Sequence, residues 1–169
     1  MGLGGGCMRQ FLALVCVVAG LSAAPVAADG ADAHHEHVAP HGGTLVVFGD
    51  ELAHLELVVD PETGEMTAYV LDGEAERGVA VQQPSLGIDV QPKDGDRFAV
   101  ALAPVENVLT GETRGNTSQF SGRSDRLKGL LRFEGEVRRL EVKGQRFEGV
   151  SFRFPEGNEA HEDAPEERS

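Results

Sequence analysis

Short runs of alternating apolar and polar residues occupy most of the chain between residues 43 and 154. Alternation with a period of two is typical of strands that bury one face. No segment shows the 3.6-residue period of a long amphipathic helix. We therefore predict an all-β fold, an antiparallel β-sandwich that is either immunoglobulin-like or a small barrel. The predicted strands cover 44–48, 52–59, 66–71, 79–82, 86–91, 98–103, 137–142 and 145–154.

The turns between these runs have recognisable sequences. Residues 60–64 read Asp-Pro-Glu-Thr-Gly, in which proline suits an early turn position and glycine a left-handed one. Lys143 and Gly144 form a two-residue hairpin turn between the last two predicted strands. The apolar residues of 145–154 do not alternate strictly, which indicates a bulge near Gly149.

Residues 104–129 are rich in Gly, Ser, Thr and Asn, and we predict a loop there, with Phe120 and Leu127 reaching the core. Residues 121–125, Ser-Gly-Arg-Ser-Asp, offer hydroxyls and a carboxylate that a hydrolase could use. No histidine accompanies them in this half of the predicted domain, and a serine nucleophile needs an adjacent base. We therefore predict that the protein is not an enzyme.

The two ends of the chain differ from the β region. Residues 11–21 form an apolar run between Arg9 and a stretch of small residues that ends at Ala28, which is the pattern of a secretory signal peptide. The run is shorter than the roughly 20 residues that span a bilayer. The predicted organisation is a signal peptide over 1–28, a flexible His-rich arm over 29–39, a β-sandwich domain over 40–154 and an acidic disordered tail over 155–169. We expect a periplasmic or secreted protein with no membrane anchor after cleavage.

The composition of the chain limits the kinds of ligand that the protein could bind. The net charge of −13 disfavours binding to nucleic acid, and the chain has one tyrosine and no tryptophan to stack on bases. Both cysteines, Cys7 and Cys16, lie in the predicted signal peptide. The processed chain would therefore have no thiol, and any metal site must use histidine and carboxylate ligands.

Four of the six histidines fall within eight positions after the predicted signal peptide. Imidazole is a common ligand for zinc and copper ions, so this cluster predicts a divalent transition-metal site, with Cu or Zn as the cofactor. His54 and Glu56 lie two apart on a predicted strand and so share a face. A tight turn at Gly49 and Asp50 would place His54 opposite Leu45, about one strand length from His41. The candidate metal ligands are His34, His35, His37, His41, His54 and Glu56.

Three short segments add a resemblance to a known family. They are residues 40–46 (Pro-His-Gly-Gly-Thr-Leu-Val), 54–58 (His-Leu-Glu-Leu-Val) and 69–72 (Tyr-Val-Leu-Asp). This part of the chain resembles the N-terminal His-Gly-Gly segment of periplasmic adaptor subunits of heavy-metal efflux systems, and related uncharacterised secreted proteins. The resemblance implies a β-sandwich-like module near metal traffic in the cell envelope. It also implies a site at His41, with His54 as a second candidate. The chain has no coiled-coil hairpin or lipoyl-like segment, so it is not a full adaptor subunit.

The sequence leads to one principal hypothesis and one alternative. The principal hypothesis is an exported protein that binds divalent Cu or Zn in envelope metal homeostasis or efflux, with components of a metal efflux pump as partners. The alternative is a protein-interaction module of the envelope that binds no metal and presents a strand edge or loop to its partner.

Overall fold

The structure, a computed structural model, describes residues 37–158. The predicted signal peptide, most of the predicted arm with His34 and His35, and residues 159–169 of the predicted tail lie outside the described residues. Within the described residues, the regular structure consists of eight strands and one short 3₁₀ turn at Asp125–Leu127. The strands are β1 (Thr44–Phe48), β2 (Ala53–Asp60), β3 (Glu65–Leu71), β4 (Leu86–Pro92), β5 (Phe98–Pro104), β6 (Gln119–Arg123), β7 (Phe133–Val142) and β8 (Gln145–Phe154).

The strands form one antiparallel sheet in the order β1-β2-β3-β6-β5-β4-β7-β8, nearly closed into a barrel. This confirms the predicted all-β antiparallel fold, in its barrel form. The interior is filled by alternate side chains from almost every strand, as expected for a sheet that buries one face. Its largest members are Phe48, Phe120, Leu55, Leu57, Met66, Leu86, Ile88, Leu102, Leu127 and Leu140.

β6 is the main departure from the predicted strands. Gln119–Arg123 lies between β3 and β5, in a stretch that we predicted to be a loop. Phe120 and Leu127 are both fully buried, as predicted. The strand predicted at 79–82 forms only an isolated bridge, between Val81 and Thr117.

The final hairpin contains an irregularity on both of its strands. Lys143 and Gly144 form its turn and both have positive φ. The buried positions Val137 and Leu140 of β7 are three residues apart instead of two, and so are the partly buried positions Phe147 and Val150 of β8. The pairing register is nevertheless the same on both sides of this irregularity. A bulge adds a residue to one strand and shifts the register, so the prediction of a bulge near Gly149 is wrong. The pairing is instead interrupted on both strands, at Arg138 and at Gly149, and Gly149 has positive φ.

β2 is buried on both faces, and this feature positions the candidate site. Its residues from Ala53 to Leu57 are all buried. Leu55 and Leu57 fill the barrel interior, whereas His54 and Glu56 project from the opposite, outer face of the sheet. An outer face is normally solvated, so something must cover these two polar side chains. The cover is provided by residues 37–43, hereafter the N-terminal segment.

Candidate functional site

Glu56 fastens the N-terminal segment to β2. Its carboxylate is completely buried and accepts three hydrogen bonds from this segment. The backbone N–H groups of His41 and Gly43 donate to Oε1 at 2.7 and 2.9 Å. The ring Nδ1 of His41 lies 2.7 Å from Oε2. Burying a charged carboxylate costs free energy unless it is hydrogen-bonded. These three hydrogen bonds therefore stabilise the buried charge of Glu56 and also hold the N-terminal segment against β2.

Gly43 permits this approach because it has no side chain. A Cβ at this position would lie 2.6 Å from the carbonyl oxygen of Leu57 and 2.9 Å from Cγ of Glu56. Both distances are shorter than real Cβ contacts, so any other residue here would push the segment away from β2. Close packing of the backbone against the sheet therefore explains why the second glycine of the His-Gly-Gly sequence, Gly43, lacks a side chain.

The same contacts define the state of the His41 ring. An ionised carboxylate only accepts hydrogen bonds, so Nδ1 carries the proton that points to Glu56. In the neutral ring, Nε2 then holds the lone pair. The ring stacks on Tyr69, with centroids 3.7 Å apart and planes 7° from parallel, and its side chain is 43% exposed. A histidine backed by a carboxylate is a recurrent arrangement among metal-binding histidines.

His54 is oriented in a comparable way by a backbone group. Its Nδ1 lies 3.1 Å from the carbonyl oxygen of Asp72, which again assigns the proton to Nδ1 and the lone pair to Nε2 in the neutral ring. The His54 side chain is completely buried. The ring of His37 lies against it, with centroids 4.6 Å apart and planes inclined at 59°. The structure therefore brings two of the predicted ligands together.

The predicted ligands thus form two pairs on one face of the sheet, His37 with His54 and His41 with Glu56. Among residues 37–158, no group of three or more His, Cys, Asp or Glu side chains is arranged so that it could hold a metal ion. His34 and His35 lie outside the described residues. The predicted register was two residues off, because His54 faces Val47 and it is Glu56 that faces Leu45.

Sequence reasoning did not assign roles to Tyr69 and Asp72. Tyr69 occupies the position opposite Glu56 on β3, which the His41 ring covers. Burial raises the pKa of the Tyr69 phenol, and the charges of Glu56 and Glu65 raise it further. Asp72 contributes only its backbone carbonyl to the site. A pattern of side-chain types gives no signal for a backbone acceptor. The Tyr-x-x-Asp sequence is part of the resemblance, which assigns no role to either residue.

The Ser-Gly-Arg-Ser-Asp stretch has structural partners. Ser121 Oγ donates to Glu65 at 2.8 Å, and Ser124 accepts from the backbone N–H of Arg126 at the start of the 3₁₀ turn. Asp125 pairs with Lys128, and the hydrogen bond from this lysine lowers the pKa of the Asp125 carboxyl. These contacts are those of a strand end and a capped turn.

Comparisons with known proteins add no family to this description. Neither protein-family models, nor curated proteins, nor solved structures give a significant match to the chain. Within residues 37–158, no helix has the length and apolar character needed to cross a membrane. The resemblance to efflux adaptor subunits therefore remains a prediction from sequence.

Proposed function

We propose that this protein binds a divalent transition metal, Cu or Zn, through histidines on the outer face of β2 and in the residues that precede β1. The observation that carries the proposal is the contact of His37 with His54. Their ring centroids are 4.6 Å apart, and the hydrogen bond of His54 Nδ1 to the Asp72 carbonyl would leave Nε2 as the nitrogen that binds the metal. In metal sites, the histidine ring nitrogen that does not bind the metal usually donates a hydrogen bond to an oxygen acceptor.

Two imidazoles do not complete a zinc site, which usually has four ligands at about 2.0–2.2 Å. The predicted ligands His34 and His35 lie outside the described residues, so they enter the proposal only as expectations from the sequence. His41 offers a further imidazole on the same face, held by Glu56.

The wider role follows from the predicted export and from the resemblance. A protein carrying such a site in the cell envelope would serve metal homeostasis or efflux as a buffer or carrier. The acidic character of the chain is compatible with this role, because a negative surface concentrates cations. Export, partners and the efflux connection belong to the proposal.

Isothermal titration calorimetry of the purified protein with Cu(II) and Zn(II) tests the proposal. We expect saturable binding near neutral pH that weakens as the pH falls below about 6.5, because imidazole binds metal only when neutral. His54→Gln and His37→Ala should each weaken binding markedly. His161→Ala is the matched control, since it removes the one histidine that is not a candidate ligand, and it should leave binding unchanged. Absence of saturable heat with either ion, or unchanged affinity in the double variant of His37 and His54, would overturn the proposal.

A further inference from the structure

We infer that Glu56, which sequence reasoning placed among the metal ligands, is instead a positioning residue that couples docking of the N-terminal segment to metal binding at His37 and His54. The coupling rests on the proposed function, whereas the docking role stands on the geometry alone. We call Glu56 and its three donors on His41 and Gly43 the Glu56 clasp.

The first argument is the occupancy of the carboxylate. Oε1 accepts from two backbone N–H groups and Oε2 accepts from the His41 ring. The side chain is completely buried, and the segment that supplies its donors lies over it. A metal ion at Glu56 would have to displace these donors. The carboxylate is therefore already used to hold the segment.

The second argument is the short distance between the clasp and the histidine pair. Glu56 and His54 share one face of β2 and are two residues apart, about 7 Å along a strand. His37 precedes His41 by four residues. The intervening chain contains Pro40, whose ring fixes one backbone dihedral, and it is closed by a hydrogen bond from Gly42 N–H to Ala39 O of 3.1 Å. With His41 clasped at Glu56, this short and constrained connection brings His37 to His54.

A coupling between the two follows from this arrangement. If the clasp is broken, metal binding must also order the segment, and affinity falls by the ordering cost. Loss of a residue that supports a ligand typically weakens metal affinity by about 10- to 100-fold. Linkage is reciprocal, so a bound ion should in turn strengthen docking of the segment.

Two variants break the clasp from opposite sides. Glu56→Gln keeps the size of the side chain but removes the charge and one acceptor oxygen. Gly43→Ala leaves Glu56 intact and pushes the segment away from β2. Glu65→Gln and Gly115→Ala are the matched controls. Glu65 is a carboxylate on neighbouring β3 that contacts Ser121, and a Cβ at Gly115 has open space.

The first measurement is amide hydrogen exchange by NMR without metal. We expect the His41 and Gly43 amides to be protected in the wild-type protein and to exchange several-fold faster in both clasp variants. The controls should match the wild type. Unchanged exchange in the clasp variants would overturn the docking role, whether or not the protein binds metal.

The second measurement is calorimetric titration of the same proteins with Zn(II). Positioning predicts that both Glu56→Gln and Gly43→Ala weaken binding about 10- to 100-fold. If Glu56→Gln weakened binding while Gly43→Ala did not, the carboxylate itself would be acting as a ligand, and that result would overturn the inference. Zn(II) should also slow exchange of the two clasp amides in the wild type, and no such slowing in a protein that binds zinc would refute the coupling. If the wild type bound no metal, the proposed function and the coupling would both fail, while the exchange data would still decide the docking role.

Discussion

Asn158 binds both backbone groups of Val47 with its side-chain amide. The N–H of Val47 donates to Oδ1 at 2.7 Å, and Nδ2 donates to the Val47 carbonyl at 3.2 Å. Nearby, Thr44 Oγ1 donates to the carbonyl of Pro155 at 3.0 Å. Residues 155–158 thus cover the outer edge of β1, where the sheet's first and last strands face one another. They belong to the predicted tail, so this described part of it has a defined place in the fold.

The pairing of Asn158 with Val47 should contribute measurably to stability. We expect Asn158→Ala to lower the free energy of unfolding by about 1–2 kcal/mol, since each net hydrogen bond contributes about 1 kcal/mol. Chemical denaturation followed by circular dichroism measures the change. Asn116→Ala, in the exposed loop between β5 and β6, is the control and should have little effect. Equal stability of the two variants would show that the edge of β1 needs no cover.

Gly135 makes room for an aromatic ring inside the barrel. It faces Phe152 across the β7–β8 pair, and a Cβ at this position would overlap the Phe152 ring. We expect Gly135→Ala to destabilise the protein by about 1–3 kcal/mol through overpacking. The denaturation midpoint reports the loss. Gly115→Ala controls for the glycine replacement itself, and a Gly135 variant as stable as that control would contradict the packing argument.

The ion pairs of Asp89 on β4 make the stability of the sheet depend on pH. Arg138 forks onto its carboxylate at 2.6 and 3.0 Å, and Arg97 adds a contact of 3.1 Å. The hydrogen bond from Arg138, followed by its charge and by Arg97, lowers the pKa of the Asp89 carboxyl. Because this pKa is lower in the folded state, the stabilisation is present above the unfolded value of about 3.9 and is lost as the pH falls through the folded one.

We therefore expect Asp89→Asn to cost about 1–2 kcal/mol at pH 7, a modest value because both arginines are half exposed to solvent. The difference from the wild type should shrink as the solution is acidified below about pH 4. Urea denaturation at several pH values measures it, with Asp94→Asn as an exposed control. A difference that is constant across this range would rule out the ion pairs as its source.

Tyr69 provides a spectroscopic probe of the clasp because it is the only tyrosine in the chain. Burial and the charges of Glu56 and Glu65 raise the pKa of its phenol above the usual value of about 10. We expect Glu56→Gln to lower this pKa, since it removes a negative charge that opposes ionisation. Tyrosinate absorbance measured against pH reports the shift. Glu148→Gln, on β8, should leave the titration of Tyr69 unchanged.

The raised pKa of Tyr69 also determines the direction in which the stability of the protein changes with pH. The Tyr69 phenol holds its proton more tightly in the folded state. Its contribution to the free energy of unfolding is therefore fully present below about pH 10 and is lost as the pH rises through the folded pKa. In Glu56→Gln this decline should be smaller. A Tyr69 titration that is identical in the wild type and in Glu56→Gln would place the carboxylate too far from the phenol to influence it.

Strands with a clear alternation were predictable from sequence, and those without it were not. The range predicted for β1 coincides with the observed strand, as does that for β8. β6 was missed because Phe120 is its only large apolar residue, and its other positions are polar and face outward or pair with neighbours. Residues 79–82 have a strand-like composition, but tertiary contacts leave them only the Val81–Thr117 bridge.

The candidate site was predictable as a set of residues but not as a geometry. Alternation placed His54 and Glu56 on one face of β2, and the structure has them there. Their partners depend on the β1–β2 connection, which spans four residues between Phe48 and Ala53. Its length shifts the register by two positions relative to a tight turn, so that Glu56 meets the N-terminal segment. Only coordinates show that this carboxylate accepts from three donors at once.

The double burial of β2 has a consequence for the history of this sequence. Without the His-Gly-Gly stretch, an imidazole and a carboxylate would face water at positions 54 and 56, where they would be ordinary replaceable surface residues. With it, the glycine, the histidines and the glutamate are constrained by one another. We expect homologues to keep or lose them as a unit, whereas the exposed positions of the sheet should vary independently.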